Sequence, residues 1–318
     1  MKKICIVGYN FGEKYQSFIP IYIYSILKNY PDYSVIIFSD IELNTRTKEM
    51  IELINNLGDF EIVENYRFGL EEGRKINNIL SHKQAIRWFF YDEKFSKYET
   101  IYIGDIDIFI CKEAGGIYNQ HMIHCDKIGL PYSNYIRLTT DCDKLTFKMI
   151  LYYLKTKQYD RLLKKLKGVA ITENRLTGLH FLKTHEYFDN VKQYFPDFIN
   201  EITSRSTRII RNDEAMLYEL VVKSGIGLPP VSPNSPSLEY MQPESIAFRP
   251  HHGIHLGIFR NRKTTLKQRQ VLDSYIYHGY FRQYIELKNT DVVLRNLIDN
   301  SDIFVRNLFK RVEDYYLK

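Results

Sequence analysis

The chain has 318 residues, 44% of them hydrophobic and 26% charged, enough to bury a core and unlike a disordered, collagen-like or coiled-coil chain. Its most promising apolar run, residues 149–154, is far shorter than the ~20 residues a spanning helix needs, and residues 1–8 read as a strand rather than a signal peptide. The net charge of +6 is concentrated: residues 144–167 carry eight Lys/Arg against one acid, Asp160, and the remainder is near neutral, which argues against a nucleic-acid-coating face.

The first hundred residues alternate in period. Residues 4–7 form a short, wholly apolar strand, followed by a helical pattern over 17–29 with Pro20 in its first turn and Pro31 just past its end. A second buried strand covers 34–38. Asn44 is placed to cap a helix running to about Leu57, and a third strand covers 60–63. The pattern is helical again over 77–95, and a fourth strand spans 100–103. Wholly apolar strands separated by helices predict an α/β fold with a mostly parallel sheet covered on both faces. Further on, 113–126 reads as a loop, 144–167 as a basic amphipathic helix or two joined near Gln158, 176–182 as a strand, and 212–224 as a short helix. Residues 228–250 hold six of the ten prolines and read as a long loop. Two or three helices are expected from Thr264 onward.

The run TIYIGDIDIFI, residues 100–110, carries the most chemistry. Its strand runs out at Gly104, and Asp105 and Asp107 follow at the spacing that puts two side chains on one face of extended backbone. Ligands of open α/β sheets bind outside the carboxyl ends of the strands, and two neighbouring carboxylates repel unless a hard divalent cation, Mn²⁺ or Mg²⁺, joins them. A second Asp-x-Asp, Asp141 and Asp143, follows no such strand and reads as a cap for the basic helix.

A strand followed by Asp-x-Asp after about a hundred residues of βαβ resembles the GT-A glycosyltransferases, and most of all the family-8-type enzymes of bacterial lipopolysaccharide and capsule synthesis. That resemblance implies a GT-A catalytic domain over 1–260, with a nucleotide-sugar half, 1–110, an acceptor half, 111–260, and a helical extension, 261–318. It implies a UDP-linked hexose donor, a glycan or lipid-linked glycan acceptor, and retention at the anomeric carbon. Arg87, eighteen residues before Asp105, and Lys83 one turn earlier would contact the donor phosphate or sugar. Of the cluster His251, His252 and His255, the resemblance matches His255 to the metal-ligating histidine, with His252 as the alternative, and puts Arg260 against the diphosphate. Three departures accompany the match: a His-to-Gly gap shorter by one, Arg in place of Lys, and no Pro-Trp.

Asp213 and Glu214 open the helix after its cap Asn212, where GT-A enzymes place an acidic residue beside the anomeric carbon; capping alone is the plainer role. His180 is an acceptor-binding candidate or a packed core histidine. Tyr9, Asn10 and Asp40 follow strands one and two and are expected to meet the nucleoside. A zinc site at His121, His124 and Cys125 lacks a fourth ligand. The four cysteines include no C-x-x-C pair, which points to a reducing cytoplasm. The basic helix suits a core helix with a solvated face, or attachment to an anionic membrane leaflet. Two other readings are a sugar-nucleotidyltransferase, disfavoured because residues 8–12 are too poor in glycine for its phosphate loop, and a non-catalytic scaffold on the same frame.

Overall fold

The computed structural model describes residues 2–71, 80–141, 145, 147–155, 158–169, 171–203, 212–231, 252–260 and 266–317. In chain order these form β1 (Lys2–Asn10), α1 (Phe18–Asn29), β2 (Ser34–Ser39), α2 (Thr45–Glu52), β3 (Asp59–Val63), α3 (Leu80–Ala85), β4 (Tyr98–Ile103) and β5 (Ile108–Ile110). There follow α4 (Gly116–Ile128), β6 (Tyr132–Ser133), β7 (Ile136–Asp141), α5 (Phe147–Lys155), α6 (Tyr159–Leu166), β8 (Ile171–Leu176), β9 (His180–Lys183), α7 (Thr184–Val191), α8 (Phe195–Thr203) and α9 (Asp213–Ser224). The chain closes with β10 (Gly253–His255), α10 (Leu266–Leu272), α11 (Tyr275–Thr290), α12 (Val292–Asn300) and α13 (Ile303–Tyr316).

The main sheet has the order β3-β2-β1-β4-β9-β6; its first four strands are parallel, and β9 and β6 extend it antiparallel. The apolar strands are explained by their two covered faces. Along β1, Ile4 and Ile6 enter one core while Cys5, Val7 and Tyr9 enter the other; along β2, Val35 and Ile37 part in the same way from Ile36 and Phe38. The first core lies under α1 and takes in Tyr277, Tyr284, Leu297 and Phe309 from the C-terminal helices. The second is aromatic, with Phe38, Phe89, Phe90, Phe95 and Phe198 packed among α7, α8 and α9 residues.

Several local expectations need correction. Residues 113–126 are no loop, because α4 occupies most of them, opening and closing at left-handed Gly115 and Gly129. The helix expected to residue 95 ends at Ala85, and the backbone tightens into 3₁₀ turns at Ile86–Trp88 and Glu93–Lys97. Asn44 does cap α2, accepting from the Thr47 amide, but the helix stops at Glu52. The basic segment follows the two-helix alternative, with Gln158 heading the second helix, and among the described residues four helices, against the expected two or three, follow Thr264. Most of the proline-rich loop, together with His251 and Asp143, lies outside the described residues.

Two small ribbons shape the region beyond the sheet. β5 pairs antiparallel with β10, matching His255 to Ile108, and the Leu256 amide donates to the Asp107 carbonyl at 2.9 Å. β7 pairs with β8 from Ile136↔Leu176 to Asp141↔Ile171.

Candidate active site

The parallel strands end on one edge, and the chemistry collects there. Asp105 follows β4 after Gly104, and the ladder between β5 and β10 carries His255 to Asp107 from far downstream. One ligand atom each from Asp105, Asp107 and His255 lies within 4.8 Å of the others. The His255 Nε2 is 3.5 Å from the Asp107 Oδ2, and the Arg260 guanidinium donates to that same oxygen. Asp107 is buried; desolvation pushes its carboxyl up, but the His255 and Arg260 charges outweigh this and its pKa falls below the ordinary carboxylate range. Burial likewise opposes charge on His255, whose pKa is nonetheless raised because Asp107 and Asp105 face it.

Glycine makes the room. A Cβ at Gly257 would stand 2.6 Å from both the Asp107 Oδ2 and the His255 Nε2, in the space a shared cation needs. Two carboxylates and an imidazole are a donor set for a hard-to-borderline divalent ion, and the imidazole favours Mn²⁺ over Mg²⁺. The residues present therefore fit a metal. Arg260 is anchored from behind, since Arg311 of α13 donates to the carbonyls of Phe259 and Arg260, and its guanidinium lies over the Tyr15 ring at 5.0 Å.

Beside this cluster lies a second set of charges. Arg87 is buried and stacked on Trp88 at 4.4 Å; it donates to Asp105 at 2.6 Å and to Asp213 at 2.9 Å. Burial works against its charge, and the two carboxylates hold it protonated. Asn212 caps α9 through the Glu214 amide, which fixes Asp213 and Glu214 in the first turn. Glu214 Oε1 accepts from Arg137 and from the Gly178 amide at 3.1 Å. Burial raises the Glu214 pKa, Arg137 opposes that rise, and Asp213 adds to it. A side chain at Gly178 would press on Arg87, with its Cβ 3.1 Å from the Nη2.

The structure thus brings Arg87, Asp105, Asp107, Asp213, Glu214, His255 and Arg260 together. Lys83 lies one turn before Arg87 on α3, partly exposed. His252 is not at this cluster: it turns into the interior, where its Nε2 meets the His121 Nε2 at 2.9 Å and its Nδ1 meets Glu113 at 3.1 Å. His180 is fully buried among Trp88, Tyr132 and Tyr187 and bonded to Asn134, so it offers no atom to an acceptor. Tyr9 and Asn10 are also buried, the latter bonded to Ser39, and Asp40 accepts from the Gly12 amide. Among the described residues His121, His124 and Cys125 do not gather a metal set: both imidazoles bond Ser133 through Nδ1, and the His121 Nε2 faces His252. Arg137, Gly178 and Tyr15 were not predicted as site residues. Gly178 carried the one available signal, a glycine breaking an apolar run where backbone must approach closely.

No family model matches the chain, and no curated protein matches it. Among solved structures it is similar to core-mannan synthase A of Aspergillus fumigatus in a Mn/GDP form, at 8% identity and TM-score 0.43 over 70% of each chain. It is also similar to the mannosyltransferase Ktr4p of S. cerevisiae in complex with GDP, at 11% identity and TM-score 0.40 over 71% of this chain and 67% of that one. A third is the galactosyltransferase LgtC with donor and acceptor sugar analogues, at 11% identity and TM-score 0.36 over 78% and 85%. Overlaps this partial leave the chemistry to be read from the side chains themselves.

Proposed function

We propose that this chain is a metal-dependent glycosyltransferase of GT-A type that moves a hexose from a UDP-linked donor to a bacterial surface glycan. The observation that carries the reading is the meeting of Asp105, Asp107 and His255 at the carboxyl edge of the parallel strands, flanked by Arg87 and Arg260. Acids and imidazole suit a cation; two guanidiniums beside them suit the phosphates that such a cation binds. Asp105, Asp107 and His255 would hold a Mn²⁺ or Mg²⁺ ion, which would supply neutralisation of negative charge on the nucleoside diphosphate leaving group.

The other work falls to the protein. Arg260 and Arg87 face the diphosphate and share its charge, and Asp213 holds Arg87 in place for that task. Asp40, at the end of β2, borders the nucleoside. Glu214 is oriented by Arg137 and the Gly178 amide, and Asp213 by Arg87, so both carboxylates are held in fixed positions. Groups so restrained suit polar stabilisation of the cationic anomeric centre, the role expected with retention of configuration, rather than proton transfer. In this reading residues 1–260 form the catalytic unit and 261–318 a helical extension that braces Arg260.

Calorimetric titration of UDP in the presence and absence of Mn²⁺ tests it. Mn²⁺-dependent UDP binding that is lost in Asp107→Asn is the expected result, with slow UDP-hexose hydrolysis retaining the anomeric configuration of the released sugar. Failure of the native protein to bind UDP, GDP or ADP with either metal would overturn the reading in favour of a non-catalytic scaffold.

A further inference from the structure

The helical pair α5–α6 is an insertion at the tip of the β7–β8 ribbon, entered after Asp141 and left before Ile171. Its inner side is tied down: Tyr153 and Leu162 are buried, the Gln158 amide closes the corner on the Tyr153 carbonyl, and Arg161 pairs with Glu173 of β8. Its outer side is apolar. Phe147, Leu151 and Leu154 on α5, and Tyr159, Leu163 and Leu166 on α6, recur at the same i, i+4, i+7 spacing, and every one is between 46% and 75% exposed. Six large apolar side chains at helical spacing on two adjoining helices make a surface rather than scattered exposure. Lys164 and Lys167 are exposed beside them, in a segment with eight cations and one acid.

We infer that this helical pair docks onto an anionic lipid bilayer, its leucine and aromatic stripe entering the headgroup boundary and its lysines meeting lipid phosphates. Apolar residues flanked by cations are what an interfacial helix presents to acidic lipid. A second copy of the chain is a poorer occupant, because a self-paired face would bring two such cationic segments together. A nucleic acid would leave the apolar stripe unused. The ribbon itself runs five residue steps, from the Ile136↔Leu176 end, next to Arg137 and Gly178, to Asp141↔Ile171, beyond which the helical pair is inserted. The insertion thus leaves the ribbon roughly 17 Å from the end beside Arg137 and Gly178.

Flotation of the full chain with vesicles of phosphatidylglycerol and phosphatidylcholine, against phosphatidylcholine alone, tests this. Binding to the anionic vesicles that weakens with salt is expected. Lys164→Gln with Lys167→Gln should weaken it about thirtyfold, and Leu163→Ser with Leu166→Ser about a hundredfold; neither pair should move the unfolding temperature, since all four side chains are exposed. Equal binding to neutral vesicles, native-like binding by both pairs, or a dimer in vesicle-free solution that Leu163→Ser and Leu166→Ser dissolve would overturn it. Neither readout involves donor or metal, so failure here and failure of the sugar-transfer reading are separately visible.

Discussion

His252 and His255 lie three residues apart on one short segment, yet they belong to opposite kinds of polar cluster. Around His252 the network is closed. Glu113 takes hydrogen bonds from Tyr280 and Gln120 and faces His252, which faces His121, which in turn reaches Ser133. Around His255 the groups converge on one point: Asp107 faces His255 and accepts from Arg260, Asp105 accepts from Arg87, and Gly257 puts no Cβ between Asp107 and His255. A left-handed turn at His252 (φ 52°) sends its ring inward just before β10 begins, and the ladder to β5 then carries His255 to Asp107. The same residue type stabilises the fold in one place and offers a ligand atom in the other. The difference lies in what each ring faces: at His252 a carboxylate shared with Tyr280 and Gln120 and a second imidazole, at His255 two acids that converge with it beside a glycine.

That contrast can be broken from either side. The largest effect expected is on stability. His252→Ala should cost about 3 kcal/mol in chemical denaturation by removing a hydrogen-bond partner of the buried Glu113 and of His121, while Mn²⁺ affinity changes little. A native-like midpoint would show that the closed network is not structural. Next is Gly257→Ala, whose new Cβ intrudes between Asp107 and His255. Mn²⁺ affinity should fall about a hundredfold with the fold intact, and unchanged affinity would place the cation elsewhere.

The smallest effect sharpens the structural side through pH. Burial lowers the His180 pKa to about 3 and that of His124 to about 4, against an unfolded value near 6.5. Groups depressed in the folded state contribute stability that is complete above the unfolded pKa and is lost as pH falls toward the folded one. Between pH 7 and pH 5 the His180 contribution should decline by about 2 kcal/mol. In His180→Phe the acid slope of the unfolding temperature should be correspondingly flatter, and an identical slope would contradict the burial argument.

Much of the fold was legible because both faces of its sheet are covered, which writes β1, β2 and β4 as unbroken apolar runs. The pairing of Asp105 with Asp107 was legible because both stand where a buried strand ends. α4 was missed since its buried face is polar: Gln120, His121, His124 and Cys125 turn inward, so no apolar stripe marks the helix. His180 and Asn10 looked available because they end or begin strands at the ligand edge, and only packing reveals that both are enclosed. Arg137 had no local signal, as its partner Glu214 comes from a distant helix start. Nor does a count of histidines distinguish His252 from His255; a single turn of backbone does.

Electron paramagnetic resonance of Mn²⁺ titrated into the protein with UDP, compared across the native chain, His255→Asn and His252→Asn, is the most direct test. Loss of the bound-Mn²⁺ signal in His255→Asn and its retention in folded His252→Asn is the result predicted. Bound Mn²⁺ that survives His255→Asn but disappears in His252→Asn would contradict the assignment of the cation to Asp105, Asp107 and His255.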